Sequence, residues 1–84
     1  MTLTNAIKKA EKVTNQKPRI EGQFRKFDYK GFELSFAQNG RADEATNFYT
    51  RRHGNKDDLQ TDYFAGTFHD NLSQAFKFMD HMAQ

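Results

Sequence analysis

Three histidines, His53, His69 and His81, and the carboxylates Asp57, Asp58, Asp62 and Asp70 are the residues whose types could hold a metal. Imidazole nitrogen and carboxylate oxygen suit divalent cations, but a helix presents two imidazoles to one ion only at i, i+4 spacing. No histidine pair has that spacing, and His81 lies about three helical turns beyond His69. They read as solvated residues at element ends. Asp57-Asp58 and Asp62 could in principle divide general acid and base work, which requires an environment that drives their pKa values apart. Their neighbours Asn55, Lys56 and Gln60 are polar, so these carboxylates read as exposed. The chain has no cysteine, which excludes disulfides, thiolate zinc sites and a thiol nucleophile. No nucleophile–base arrangement appears. We therefore expect no enzyme, no catalytic residue, no metal and no cofactor.

A second constellation mixes cations with rings. Arg19, Arg25, Lys26 and Lys30 interleave with Phe24, Phe27 and Tyr29, and Arg51-Arg52 follow Tyr49. Sheet-based binders of single strands stack bases on exposed aromatics beside Lys and Arg. The opposing consideration is composition. The chain has nine Phe and three Tyr but only four Leu, two Ile and one Val, so it needs its rings for a core. A net charge of +2 is small for a dedicated nucleic-acid binder. The charge is uneven, with eight Lys or Arg against three acids in residues 1–30 and five against eight in residues 31–84.

Eighty-four residues suit one domain, 1–84, with one thin core. Mean hydropathy is low, at −1.00. The small net charge and the dozen large rings nevertheless favour a folded chain over a disordered one. No apolar run approaches the ~20 residues that cross a bilayer, and no apolar leader opens the chain. A cytoplasmic protein without membrane contact is expected.

The elements that must position these residues follow from periodicity. Leu3, Ile7, Ala10 and Val13 mark a helix capped at Thr2 or Thr4, which ends near Thr14 because Pro18 disfavours helical backbone at Lys17. From Ile20 the period becomes two. Phe32, Leu34 and Phe36 alternate with Glu33 and Ser35, and Lys30-Gly31 predicts a tight hairpin before them. Phe24 has the opposite parity to Phe27 and Tyr29, which Gly22 or a bulge near Arg25-Lys26 would reconcile. Asn39-Gly40 turns the chain, residues 41–45 read as loop, and Asn47 to His53 as the third strand. Leu59 to His69 fits either a short fourth strand or an ordered loop. Leu72, Ala75, Phe76, Met79 and Met82 mark a last helix capped by Asp70 or Asn71, its stripe packed on the sheet. The expected class is α+β: a three- or four-stranded antiparallel sheet flanked by an N-terminal and a C-terminal helix, as a two-layer sandwich.

The run Asp57-Asp58-Leu59-Gln60-Thr61-Asp62-Tyr63-Phe64-Ala65-Gly66-Thr67-Phe68-His69-Asp70-Asn71-Leu72-Ser73-Gln74-Ala75 resembles a tail found in small uncharacterised proteins of phages and plasmids. Tyr29-Lys30-Gly31-Phe32-Glu33 is similar to the segment that precedes it there, so the resemblance spans roughly residues 20–80. It implies an origin on mobile elements. Short phage proteins of this kind commonly act by stoichiometric binding, including antagonism of host defence. The reading that follows is a non-enzymatic protein that binds and modulates or inhibits a host macromolecule. Its contact residues are Arg51, Arg52, Asp57, Asp58, Asp62 and Tyr63, because Tyr and Arg are common interface anchors. The alternative is a nucleic-acid binder using Arg19, Arg25, Lys26 and Lys30.

Overall fold

The computed structural model describes residues 1–53 and 66–83. Helix α1 spans Leu3–Thr14. Thr2, with extended backbone, accepts a hydrogen bond from the Asn5 N–H at 3.1 Å and caps it. The Asp43 carboxylate accepts from both the Thr4 N–H at 2.9 Å and the Thr4 hydroxyl at 3.0 Å. It thus places a negative charge at the positive end of the helix. Asn15 closes the helix in the left-handed conformation, which Asn tolerates, and its N–H reaches the Glu11 carbonyl. The buried stripe is Leu3, Ala6 and Ala10, with Ile7 partly buried, while Val13 is 41% exposed. The stripe is therefore rotated from the expected one, and the two alanines let the helix lie close to the sheet.

Five strands follow: β1 Arg19–Glu21, β2 Phe24–Tyr29, β3 Phe32–Gln38, β4 Ala45–Arg52 and β5 Gly66–His69. They form one antiparallel sheet in chain order. The expected count was three or four. The extra strand is β1, whose three residues after Pro18 are too few to show a period. Within the expected 59–69 element, Gly66–His69 is a strand, and residues 59–65 lie outside the described residues. Lys30 (φ 50°) and Gly31 (φ 82°) make the two-residue turn between β2 and β3, with both residues left-handed as a type I′ turn requires. Lys30 is an unusual occupant of that position. Its ammonium lies 2.9 Å from Asp80 of the last helix, a tie from the turn to the core layer.

No bulge reconciles Phe24 with Phe27. The pairing of β2 with β3 is regular from Phe24↔Ala37 to Tyr29↔Phe32, so Phe24 faces the other side of the sheet. The irregularity is between β3 and β4. Ser35 pairs with Tyr49 and Ala37 with Thr46, so Phe36 faces both Asn47 and Phe48. Asn47 takes up the extra residue at φ 56°. Ala45 and Phe48, three residues apart, thereby both reach the core.

Helix α2, Leu72–Met82, is capped by Asn71, whose side chain accepts from the Gln74 N–H at 2.9 Å. Leu72, Ala75, Phe76 and Met79 are buried, and Met82 is 44% exposed. One core cluster joins both helices to Phe27, Phe32, Leu34, Phe36 and Phe48. Rings hold it together: Phe36 lies 6.0 Å from Phe27 and 5.7 Å from Phe48, and Tyr29 meets Phe76 edge-on at 5.1 Å. Among the described residues no helix is long and apolar enough to cross a membrane.

Candidate binding face of the sheet

The strand period that sends Phe27, Phe32, Leu34 and Phe36 under the helices sends another set to the opposite face. These are Arg19 and Glu21 from β1, then Phe24, Lys26 and Asp28 from β2. Glu33, Ser35 and Ala37 of β3 follow, with Tyr49 and Arg51 of β4 and Phe68 of β5, as the register requires.

One end of this face is a grid of charge. Glu33, at 16% side-chain exposure, is its centre: Arg19 reaches it at 3.0 Å, Lys26 at 3.8 Å and Arg51 at 3.9 Å. Arg19 also binds Asp28 at 2.7 Å, His53 Nε2 lies 2.9 Å from the other Asp28 oxygen, and Lys26 lies 3.4 Å from Glu21. Burial alone would raise the Asp28 pKa, but the hydrogen bonds from Arg19 and His53 outweigh it and hold the carboxyl below its usual range. Asp28 raises Arg19 in return. Three cations, Arg19, Lys26 and Arg51, thus stand among three carboxylates, Glu21, Asp28 and Glu33.

The other end is aromatic. Phe68 is 71% exposed and Phe24 46%, and the Tyr49 ring lies 4.7 Å from that of Phe68. Tyr49 leans over Gly66, where a Cβ would overlap its hydroxyl and ring. Between the walls runs β3, whose Ser35 and Ala37 are small and each 6% exposed. A depression of about 430 Å³ opens between Phe24, Lys26, Glu33, Ser35, Tyr49 and Arg51. A second, of about 320 Å³, adjoins it and reaches Asn47 and Phe68.

The expected partner residues are distributed unevenly over the molecule. Arg51 is on the charged part of this face. Arg52, its neighbour, points the other way, with its guanidinium 4.7 Å from the centre of the Phe32 ring. Asp57, Asp58, Asp62 and Tyr63 lie outside the described residues. Of the cations assigned to nucleic acid, Arg19 and Lys26 share the face and are both ion-paired. Arg25 points to the helix side, opposite Ile20 and Phe36, and Lys30 is held by Asp80. Of the three exposed lysines of α1, Lys8 and Lys12 lie on the far side of that helix from Ala6 and Ala10, and Lys9 on its flank. The exposed rings thus share their face with cations that are ion-paired, Arg19, Lys26 and Arg51, while the lysines of α1 lie on the helix side. Sequence reasoning weighed Phe24, with Phe27 and Tyr29, as a ring that could stack on bases, but missed Phe68 as a surface residue. For Phe24 the parity against Phe27 was the available signal.

Other titratable clusters serve the fold. Asp80 Oδ1 accepts from the Tyr29 hydroxyl at 2.7 Å and pairs with Lys30, and both hydrogen bonds hold its pKa below the usual carboxylate range. His69 Nε2 lies 2.8 Å from the hydroxyl of buried Thr50, and its ring lies 4.9 Å from that of Phe78. Burial pushes the His69 pKa down, against the raising influence of Asp70. A base whose folded pKa is depressed contributes most stability when neutral, and that contribution falls as pH drops through its unfolded value of about 6.5. We expect the melting temperature to fall between pH 7.5 and 5. The difference between wild type and His69→Gln, which keeps a hydrogen-bonding side chain but does not titrate, isolates this histidine. Identical pH profiles for the two would refute it. Losses from Asp28 and Asp80 belong to a lower window, as pH falls below about 4.

Among the described residues no three His, Asp or Glu side chains group as a metal set. No family model, curated protein or solved structure matches this chain.

Proposed function

We propose that this chain is a non-enzymatic binding protein that docks a partner protein on the open face of its sheet. The observation that carries this is the exposure of Phe24 and Phe68 beside Tyr49 on the face away from the helices. A chain so short of aliphatics gains nothing in folding by leaving two Phe rings outside its core, whereas large rings rimmed by polar groups mark interaction surfaces. The resemblance of residues 57–75 to phage and plasmid tails supports a host-cell partner in the cytoplasm. The outcome of docking would then be modulation or inhibition of that partner, for example a defence component. Arg51 would contribute from the charged end. Asp57, Asp58, Asp62 and Tyr63 remain proposed contacts on their residue types, whereas Arg52, turned to the helix side against Phe32, is not a contact of this face.

Exposed rings on an antiparallel sheet also suit base stacking, which keeps nucleic acid as the second reading. It is disfavoured because the cations of this face are matched by carboxylates, whereas affinity for nucleic acid comes largely from a positive field on the phosphates. The deciding experiment is affinity capture from nuclease-treated host lysate. It compares the wild type, Phe24→Ala/Phe68→Ala, and Lys8→Gln/Lys12→Gln on the helix side. A protein recovered with the wild type and the lysine variant but lost with the ring variant is the expected result. Retention by the ring variant, or loss of all capture on nuclease treatment, would overturn it.

A further inference from the structure

The open face is not flat, and its relief has a cause in the sequence. Along β3 the outward residues after Glu33 are Ser35 and Ala37, while the flanking strands carry Phe24 and Lys26 on one side and Tyr49 and Arg51 on the other. A small-residue floor between tall walls makes a channel along the strand. Tyr49 would close it if its ring stood upright or leaned inward. It leans outward instead, onto Gly66 and against Phe68, because the missing Cβ of Gly66 leaves room there. Gly66 does not have the left-handed backbone seen at the turn glycines, so the space it vacates for Tyr49 is its evident use.

The channel changes character along its length. The Phe24, Tyr49 and Phe68 end is apolar, with a hydroxyl at Ser35 and an amide at Asn47 on its border. The other end carries Lys26 and Arg51, 24% and 32% exposed, above a more deeply sunk Glu33. Among the residues that line that end two cations stand against one acid and are more exposed than it, while Glu21 pairs with Lys26 at 3.4 Å from outside the lining. From this we infer that the channel takes one aromatic side chain of the partner protein at the Phe24–Tyr49 end and a neighbouring carboxylate of the same segment at the Lys26–Arg51 end. A volume of about 430 Å³ falls within the ~300–1,000 Å³ of ligand clefts. The inference rests on the reading that this face docks a protein, and it names the chemistry of the segment that enters.

The test is an amide-shift titration of the full chain by NMR with blocked dipeptides: acetyl-Trp-Glu-amide, acetyl-Trp-Lys-amide and acetyl-Ala-Glu-amide. An oligothymidylate of about eight nucleotides, near the span of one single-strand-binding module, is the fourth probe. Shifts are expected at Phe24, Ser35, Ala37 and Tyr49 with Trp-Glu, roughly fivefold weaker binding of Trp-Lys, in keeping with an exposed ion pair gained or reversed, and none with Ala-Glu. Lys26→Gln should erase the preference for Glu and leave Trp binding. Gly66→Ala, whose Cβ displaces only the far end of the Tyr49 side chain, should keep the fold and weaken Trp-Glu severalfold. Equal shifts from Ala-Glu, no effect of Gly66→Ala in a folded protein, or oligothymidylate displacing Trp-Glu from these residues would each overturn the inference. A silent channel at ~10 mM Trp-Glu, well beyond the millimolar affinity expected of so small a ligand, would overturn it too. If the ring variant still loses its captured protein in that case, docking on the face stands and only the pocket falls.

Discussion

Phe36→Ala is expected to cost ~3–5 kcal/mol, close to the whole stability of so small a domain. Phe36 is fully buried on the central strand and is the middle ring of the row Phe27–Phe36–Phe48. Truncation leaves a cavity that neither neighbour can fill. Phe27 is fixed by the regular pairing of β2, and Phe48 by the bulge that turns it inward. A loss of 1 kcal/mol moves the midpoint of a domain this size by about 4–8 °C, so a fall of ~15–30 °C is expected in thermal denaturation. Phe68→Ala is the control. It removes the same atoms from a side chain that is 71% exposed, and it should stay within ~0.5 kcal/mol of wild type. Comparable melting temperatures for the two variants would refute the assignment of one ring to the core and the other to the binding face.

The elements legible in the sequence were those with a sustained period and local punctuation. Helix α1 shows its stop through Pro18 and Asn15. The core strand β3 shows its phase through Phe32, Leu34 and Phe36, and α2 shows its cap at Asn71. What escaped was set by pairing at a distance. Arg19–Glu21 has no period of its own and is a strand because β2 offers it an edge. The opposite parity of Phe24 was visible, but a bulge and an outward-facing ring are equally consistent with one strand considered alone. Only the register with Ala37 decides between them. The same holds for the charges. Glu33 was a solvent-side residue of a half-buried strand in the sequence, and its place among Arg19, Lys26 and Arg51 depends on residues 14, 7 and 18 positions away brought together by three hairpin registers. Arg51 and Arg52 illustrate the converse, since adjacency in a strand separates side chains to opposite faces.

That grid yields the second large effect. Glu33→Gln keeps shape and backbone pairing but removes the one carboxylate that three cations share. Hydrogen bonds to charged groups contribute ~1.5–3 kcal/mol where they are shielded from water. Glu33, at 16% exposure, is the most shielded member, whereas Arg19 and Asp28, at 43% and 48%, form an outer pair of little value by itself. The variant weakens the charged hydrogen bond from Arg19 and leaves Arg19, Lys26 and Arg51 with one acid fewer, so mutual repulsion adds to that loss. Repulsion on a surface is screened over about 10 Å at 0.1 M salt. We therefore expect urea denaturation to show a deficit of ~2 kcal/mol that narrows as salt rises from roughly 20 to 500 mM. A deficit that does not change with salt would mean that Glu33 acts through packing alone. The variant also bears on function. With one acid fewer among its cations, the face should acquire weak, salt-sensitive binding of oligothymidylate, which falls with a log–log slope near −0.7 per phosphate neutralised. The wild type should show none at the lower salt. Tight, salt-steep binding by the wild type itself would mean that the carboxylates do not neutralise the face, and would make nucleic acid, rather than protein, its partner.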